Sequence, residues 1–397
     1  MLVAVSVVRL GVAERRARLA VRHHLAPAAR ADDVLGMVRD LIALHATDPA
    51  SVYLAAWARL RRPQVATIDN ALYDDRTLVR VLGMRRTMFV LPVEVVPVVL
   101  AACTRAVAVV ERRKTVQFFS EAGLADDVPA WLEELEKATL AALATRGEAL
   151  STELSTDVPR LAEQFVIARG KSYEGKQSVA SRVLPLLAND GRIVRGRPRG
   201  SWLSTQYRWA VTEEWLPGGL ADLSVEASRV DLARRWLSAF GPAPVSDLKW
   251  WTGWTLGQTR AALTEISPVE VDLDGAPGIA LADDLEPTQV PEPHALLLPA
   301  LDPSVMGWSA REWFLCGHDV ALFDSTGNAG PTVWWDGRIV GGWAQRKDGE
   351  VVFRLLDDVG TEAAAAVATT AAELGAWLGP VRVIPRFRNP LERELTA

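Results

Sequence analysis

The residues of this chain best placed to do chemistry as groups are its arginines and lysines. Eight basic residues stand against two carboxylates between Arg76 and Thr115, and again between Lys171 and Arg208. Charges at that density neutralise polyanions, and the arginine fork fits phosphate oxygens two at a time. The stretch from Ala261 to Ala310 is the opposite, with nine carboxylates and no Lys or Arg. The formal net charge of -5 is thus an average over segregated segments and leaves an anionic partner open. Other chemistries are excluded. Cys103 and Cys316 are the two cysteines and show no spaced ligand set with the five histidines, which argues against a disulfide framework and a structural zinc site. His23–His24 reads as a surface or loop pair without ligand companions. No Gly-rich phosphate loop, Gly-x-Ser-x-Gly elbow or thiol–histidine pair appears. We expect neither metal nor cofactor.

The elements around the basic clusters give them a common placement. Within 128–220, Trp131, Leu132, Leu135, Leu140 and Leu143 have helical spacing up to a stop at Gly147. Ser151 is placed to cap a short helix, a second helical run covers Val158 to Ala168, and another helix is expected from about Lys176 to Asn189. Asp190–Gly191 then turns the chain into the alternating stretch 192–202, which returns through Tyr207–Arg208–Trp209. Three helices and a basic hairpin read as a winged helix-turn-helix. Its last helix would present Lys176, Gln177, Ser178 and Arg182, and its wing would lay Arg195, Arg197 and Arg199 along a sugar-phosphate backbone.

The same pattern precedes it in 1–127, with helices expected over 32–44, 49–60 and 65–73 and a hairpin over 78–91 that carries Arg85 and Arg86 near its tip. A third such module, 221–290, has an acidic wing with Glu270, Asp272 and Asp274 and is not expected to meet DNA. From 291 to 397 short strands alternate with turns: 296–298, 320–323, 332–335, 338–343, 351–354 and a last one at 381–387. Asp336–Gly337 is a strong hairpin turn, and an alanine-rich helix covers 362–378. The predicted class is α+β, tandem winged helix-turn-helix modules followed by a small C-terminal β-barrel. Most of the 15 tryptophans read as core anchors. The apolar run Leu2 to Val8 lacks the features of a signal peptide, and Glu94, Pro97 and Arg105 interrupt the most apolar stretch, so a cytoplasmic chain, nucleoid-associated when bound to DNA and without a membrane role, is expected.

Several stretches, in order, resemble the AlkZ-like winged-helix DNA glycosylases: 44–49 (Leu-His-Ala-Thr-Asp-Pro), Arg85–Arg86–Thr87–Met88, Phe240–Gly241–Pro242–Ala243 with Trp251–Thr252–Gly253, 298–303 (Leu-Pro-Ala-Leu-Asp-Pro), and Gly330–Pro331–Thr332 with Asp336–Gly337–Arg338. The likeness spans nearly the whole chain. It implies hydrolysis of the N-glycosidic bond of alkylated or otherwise modified bases, with DNA, in duplex form, as partner of a monomeric, metal-free enzyme. Family enzymes carry Gln-x-Gln or Gln-x-Asp where this chain has His45 and Thr47. The resemblance gives these two the hydrolytic water: His45 accepts its proton or hydrogen bond, and Thr47 orients it. A cationic N-alkylated base leaves without a strong general acid, so polar side chains suffice.

Asp48 has two readings, a replacement carboxylate or a helix N-cap ahead of Pro49. Asp302 likewise either bonds backbone amides in its Leu-Asp-Pro turn or faces DNA, with Arg311 as its natural ion-pair partner. The alternative function is a non-catalytic winged-helix regulator or DNA-structure binder. A small-molecule sensor built on the acidic, Trp-rich half comes third.

Overall fold

The computed structural model describes residues 7–167, 170 and 174–397. Lys171 of the second basic cluster and Ala168, the expected end of a helical run, lie outside them. The class is α+β: helices combined with small sheets, in which Val8–Arg9 runs parallel to Val269–Asp272 while Gln164–Ile167 with Gly175–Ser178, Ile193–Pro198 with Tyr207–Val211, and Val269–Asp272 with Pro277–Ala280 pair antiparallel. The chain divides into two compact units. One comprises Met1–Asp69, Val90–Pro92 and Arg229–Ala397, the other Asn70–Phe89 and Val93–Ser228.

In the second unit, helix Val128–Arg146 starts where Asp127 accepts the N–H of Ala130 and stops at Gly147, whose φ of 72° is open to glycine at little cost. Strand Glu148–Ala149 and helix Ser151–Asp157 follow. Glu153 takes the N–H of Leu150 at 2.7 Å, so the expected cap at Ser151 is instead made from inside the first turn. The helical run expected from Val158 is broken: Pro159–Ala162 is a single 3-10 turn, and Gln164–Ile167 pairs antiparallel with Gly175–Ser178. Lys176, Gln177 and Ser178 therefore lie on a strand, and the next helix begins only at Ala180 and runs to Asn189. The core enforces this, because Phe165 must reach Phe119 (ring centroids 5.1 Å apart) beside Trp131, Leu135, Val183 and Leu187. Hairpin Ile193–Pro198 and Tyr207–Val211 closes the segment as predicted, with Glu148–Ala149 on its outer edge.

Earlier in this unit, strand Leu78–Leu82 leads into the turn Met84–Arg86, closed by the Gly83 N–H on the Thr87 carbonyl. The helical stretch Val93–Glu121 is long and apolar enough to cross a bilayer by those measures alone, although Glu94, Pro97 and Arg105 were expected to interrupt it. Most of its apolar window is buried within the chain, and the core helix of a globular protein passes the same test.

In the first unit, helix Val34–Asp40 is shorter than expected. The chain turns at Ile42, with φ of 66°, into a two-residue strand, Leu44–His45, so His45 is not at a helix end. Helix Pro49–Arg59 follows as predicted and is buried along its whole length. Helices Val225–Phe240, Val245–Thr252 and Leu256–Ile266 precede the antiparallel hairpin of Val269–Asp272 and Pro277–Ala280. Beyond them Ala295–Leu298, Thr332–Trp335, Arg338–Gln345 and Val351–Leu355 form an antiparallel sheet in chain order, joined at Asp336–Gly337 by a turn with positive φ at both residues.

This sheet is open, which corrects the expected barrel. Four strands are too few to curl back on themselves, and helix Gly360–Leu378 packs against them through Ala363, Val367, Ala371, Leu374 and Leu378. Residues 320–322 fall in a helical turn, Asp319–Leu322, Phe323 makes an isolated antiparallel bridge to Ala329, and 381–387 run without regular structure.

Candidate active site

Asp48 is a buried N-cap. One carboxylate oxygen accepts the N–H of Ala50 at 3.1 Å, and Pro49 at the first helical position needs no hydrogen bond of its own. The other oxygen accepts the backbone N–H of Arg386 at 2.9 Å. Burial pushes the Asp48 carboxyl up from its usual 3.8, while the Arg386 and Ala50 amides pull the other way. The exposed Arg386 side chain turns back along the same segment, its guanidinium 3.4 Å from the Thr47 carbonyl it donates to. Gln345 holds the approach to Arg386 by accepting the N–H of Val383 at 2.8 Å and donating to the Val381 carbonyl. Thr47 is half-buried between Asp48 and His45, and His45 is only 4% exposed. The void beside Asp48, lined also by Ser51, Pro299 and Trp343, measures about 10 Å³. That is at most one water, so a base must lie outside it.

A buried ion pair fixes the other end of helix Pro49–Arg59. Arg59 donates to both oxygens of Asp302, at 2.8 and 2.7 Å, and both side chains are fully buried. Asp302 also caps the turn Pro303–Met306 through the Ser304 N–H. The Ser304 hydroxyl accepts from Arg59 and lies 2.7 Å from Nδ1 of His23. His23 is wholly buried and held well below its usual pKa by desolvation and by Arg59, which corrects the surface reading of this histidine. Its neighbour His24 is also tied down, between the Ala29 carbonyl and Asp40.

Asp302 is accordingly an interior anchor and not a DNA-facing group, and its partner is Arg59 rather than Arg311. The half-buried Arg311 guanidinium lies over Phe323 (4.6 Å) and Trp250 (5.4 Å), and burial lowers its pKa against the pull of Asp247.

The remaining sites predicted to meet DNA belong to the second unit. Arg85 and Arg86 both have positive φ, 51° and 61°, in the turn after strand Leu78–Leu82. Arg199 is exposed at the hairpin tip, and Arg197 grips both oxygens of Asp74 at 2.9 and 2.8 Å. Arg195 is not a wing-tip group: its guanidinium lies 4.5 Å over Trp209. It shares a cleft with Arg86 and Arg182. Lys176 is exposed on its strand, with Gln177 and Ser178 half-buried beside it.

The profile of the family described as DNA glycosylase AlkZ-like matches residues 38–377. The chain belongs to that family. Among solved structures, Streptomyces sahachiroi DNA glycosylase AlkZ is similar to this AlkZ-like chain with a TM-score of 0.71 at 20% identity, over 94% of this chain and 98% of the other. At that identity the likeness speaks for the fold. No curated protein matches the sequence.

Two residues at this candidate site are not predicted from the sequence. Arg386 sits in a C-terminal run with Arg382 and Arg388, a basic signal as visible as the wing. Arg59 had no sequence signal beyond its position at the end of an apolar helix. Among the described residues no group of three or more His, Cys, Asp or Glu could hold a metal ion.

Proposed function

We propose that this protein hydrolyses the N-glycosidic bond of alkylated or otherwise modified bases in duplex DNA, acting as a single chain with residues 45–48 as the place of chemistry. The observation that carries this reading is the clasp between Asp48 and Arg386, which sets a carboxylate, a half-buried hydroxyl and an exposed guanidinium around one short segment. An N-alkylated base departs as a neutral molecule from a cationic nucleoside. The enzyme must therefore place a water and stabilise the positive sugar. Thr47 orients the water, His45 accepts from it, and ionised Asp48 opposes the positive charge developing on the sugar. Arg386 holds a flanking phosphate.

Segment 128–211 serves as a winged helix in this proposal. The order of its three helices, its edge strand and its hairpin supports that assignment, with Arg182 on the last helix and Arg197 and Arg199 on the wing. Lys176, Gln177 and Ser178 would meet DNA from the preceding hairpin, and Arg85 and Arg86 from their turn.

Incubating the protein with duplexes that carry N3- or N7-alkylpurines, followed by alkali, tests the reading: free base and strand scission at the lesion are expected. The burial of His45 and Asp48 favours a second reading, a DNA binder without chemistry, for which the duplex emerges bound but intact.

A further inference from the structure

The second unit contains a cleft of about 320 Å³ between the turn after Leu78–Leu82, the helices Arg105–Glu121 and Ala180–Asn189, and strand Ile193–Pro198. Three arginines distant in sequence, Arg86, Arg182 and Arg195, line it. Its one carboxylate, Glu111, is already engaged by Arg86 at 3.5 Å and by Lys114 at 3.2 Å. Among the described residues Arg182 and Arg195 have no ion pair and no side-chain hydrogen bond, and Nε of Arg182 is buried without a partner. Each guanidinium lies over a ring instead, Arg182 5.1 Å from the centroid of Phe118 and Arg195 4.5 Å from that of Trp209.

Cation–π contact offsets only part of the cost of taking a guanidinium out of water. Burial, with the neighbouring charge of Arg80, brings Arg195 down to about 10. Two unpaired cations at one cleft are destabilising by themselves, and an anion between them removes that cost. The forked donors of arginine select a tetrahedral oxyanion over a halide.

We propose that this cleft is a phosphate-binding site in which Arg86, Arg182 and Arg195 surround one phosphate group, with Thr115 and Asn189 as neutral donors at its wall. The phosphate is a diester of the DNA backbone or that of a free nucleotide or phosphate ion. The site itself stands apart from the glycosylase reading, and only the DNA source rests on it.

Thermal melting and calorimetry with inorganic phosphate, at ionic strength held constant with chloride, test the site. Wild type should show saturable 1:1 binding. Arg182→Gln and Arg195→Gln should each weaken it by roughly tenfold or more, while Arg113→Gln, exposed and outside the cleft, should leave it unchanged. Without phosphate both cleft variants should melt at or above wild type, because each removes an unpaired, half-buried charge. Phosphate acting no differently from chloride, undiminished binding in both variants, or lowered melting of both without phosphate would each overturn the proposal. Competition between a duplex oligonucleotide and phosphate assigns the site to the DNA backbone, and additive binding assigns it to a free phosphate ligand. None of these readouts needs base release, so failure of the catalytic reading leaves them intact.

Discussion

Asp48 accepts the backbone N–H of Arg386 across 338 positions of sequence, at 2.9 Å, with the oxygen that its own helix does not use. One carboxylate thus starts the buried helix Pro49–Arg59 and fastens a basic C-terminal segment beside His45 and Thr47. A cap of this kind is ordinary. Its second bond turns a helix start into a site with a guanidinium at its lip.

Asp48→Ala removes both bonds. Losing the cap costs about 1 kcal/mol, and taking the acceptor from the part-buried Arg386 N–H costs up to about another 1 kcal/mol. Urea unfolding should show a loss of that combined size. Base release per folded molecule separates the two readings of the residue: it collapses where the carboxylate acts on the reacting sugar and persists where Asp48 is only a fastener.

Burial raises the Asp48 pKa above its usual 3.8, so the native state holds a proton that the unfolded chain has already released. The stability this group contributes is full below that usual value and is lost as pH rises through its native value. Asp48→Asn, which cannot titrate, should flatten this part of the stability curve. Denaturation midpoints of the two proteins between about pH 4 and pH 7 check the sign, and parallel curves would mean that Asp48 titrates normally.

Breaking the pair between Arg59 and Asp302 from one side leaves a buried charge without its partner. Arg59→Leu or Asp302→Leu should each cost about 3–5 kcal/mol, and the double variant should recover much of the loss, because it removes both charges. Calorimetric melting of the three variants measures this. Additive losses in the double variant would show that the two residues act independently.

Much of the site was legible because local rules produced it. Asp-Pro ahead of an apolar run is a cap, and the structure has one at Asp48. The alternating arginines after Asp190–Gly191 form the predicted hairpin, and Asp336–Gly337 makes its turn. The failures came where tertiary contacts overrode local pattern. Lys176 to Ser178 continue the helical pattern of 180–189 into residues that pair as a strand, since Phe165 is wanted in the core. Arg195 alternates with Arg197 and Arg199 along the wing, yet Trp209 across the hairpin draws it inward. The Leu-Asp-Pro turn around Asp302 was visible, whereas its buried partner lies 243 positions away and no local spacing could name it.

The exposed wing should act through phosphate neutralisation. Arg199→Ala should reduce the steepness of log affinity for duplex DNA against log salt by about 0.9. Arg197→Ala should reduce it less, because Asp74 already balances that charge. Binding titrations at several salt concentrations measure both. Equal slopes for wild type and Arg199→Ala would remove the hairpin tip from the interface.

Base excision is assigned to residues 45–48. Its most direct test is single-turnover release of an alkylated purine from duplex DNA by wild type and by the His45→Ala, Thr47→Ala double variant, with duplex affinity measured alongside. Wild type should release the base, and the double variant should be slower by about 10²–10⁴ at unchanged affinity, because these groups act on the transition state and not on the phosphates. Release by the double variant at the wild-type rate would contradict that assignment and place the chemistry elsewhere in the chain.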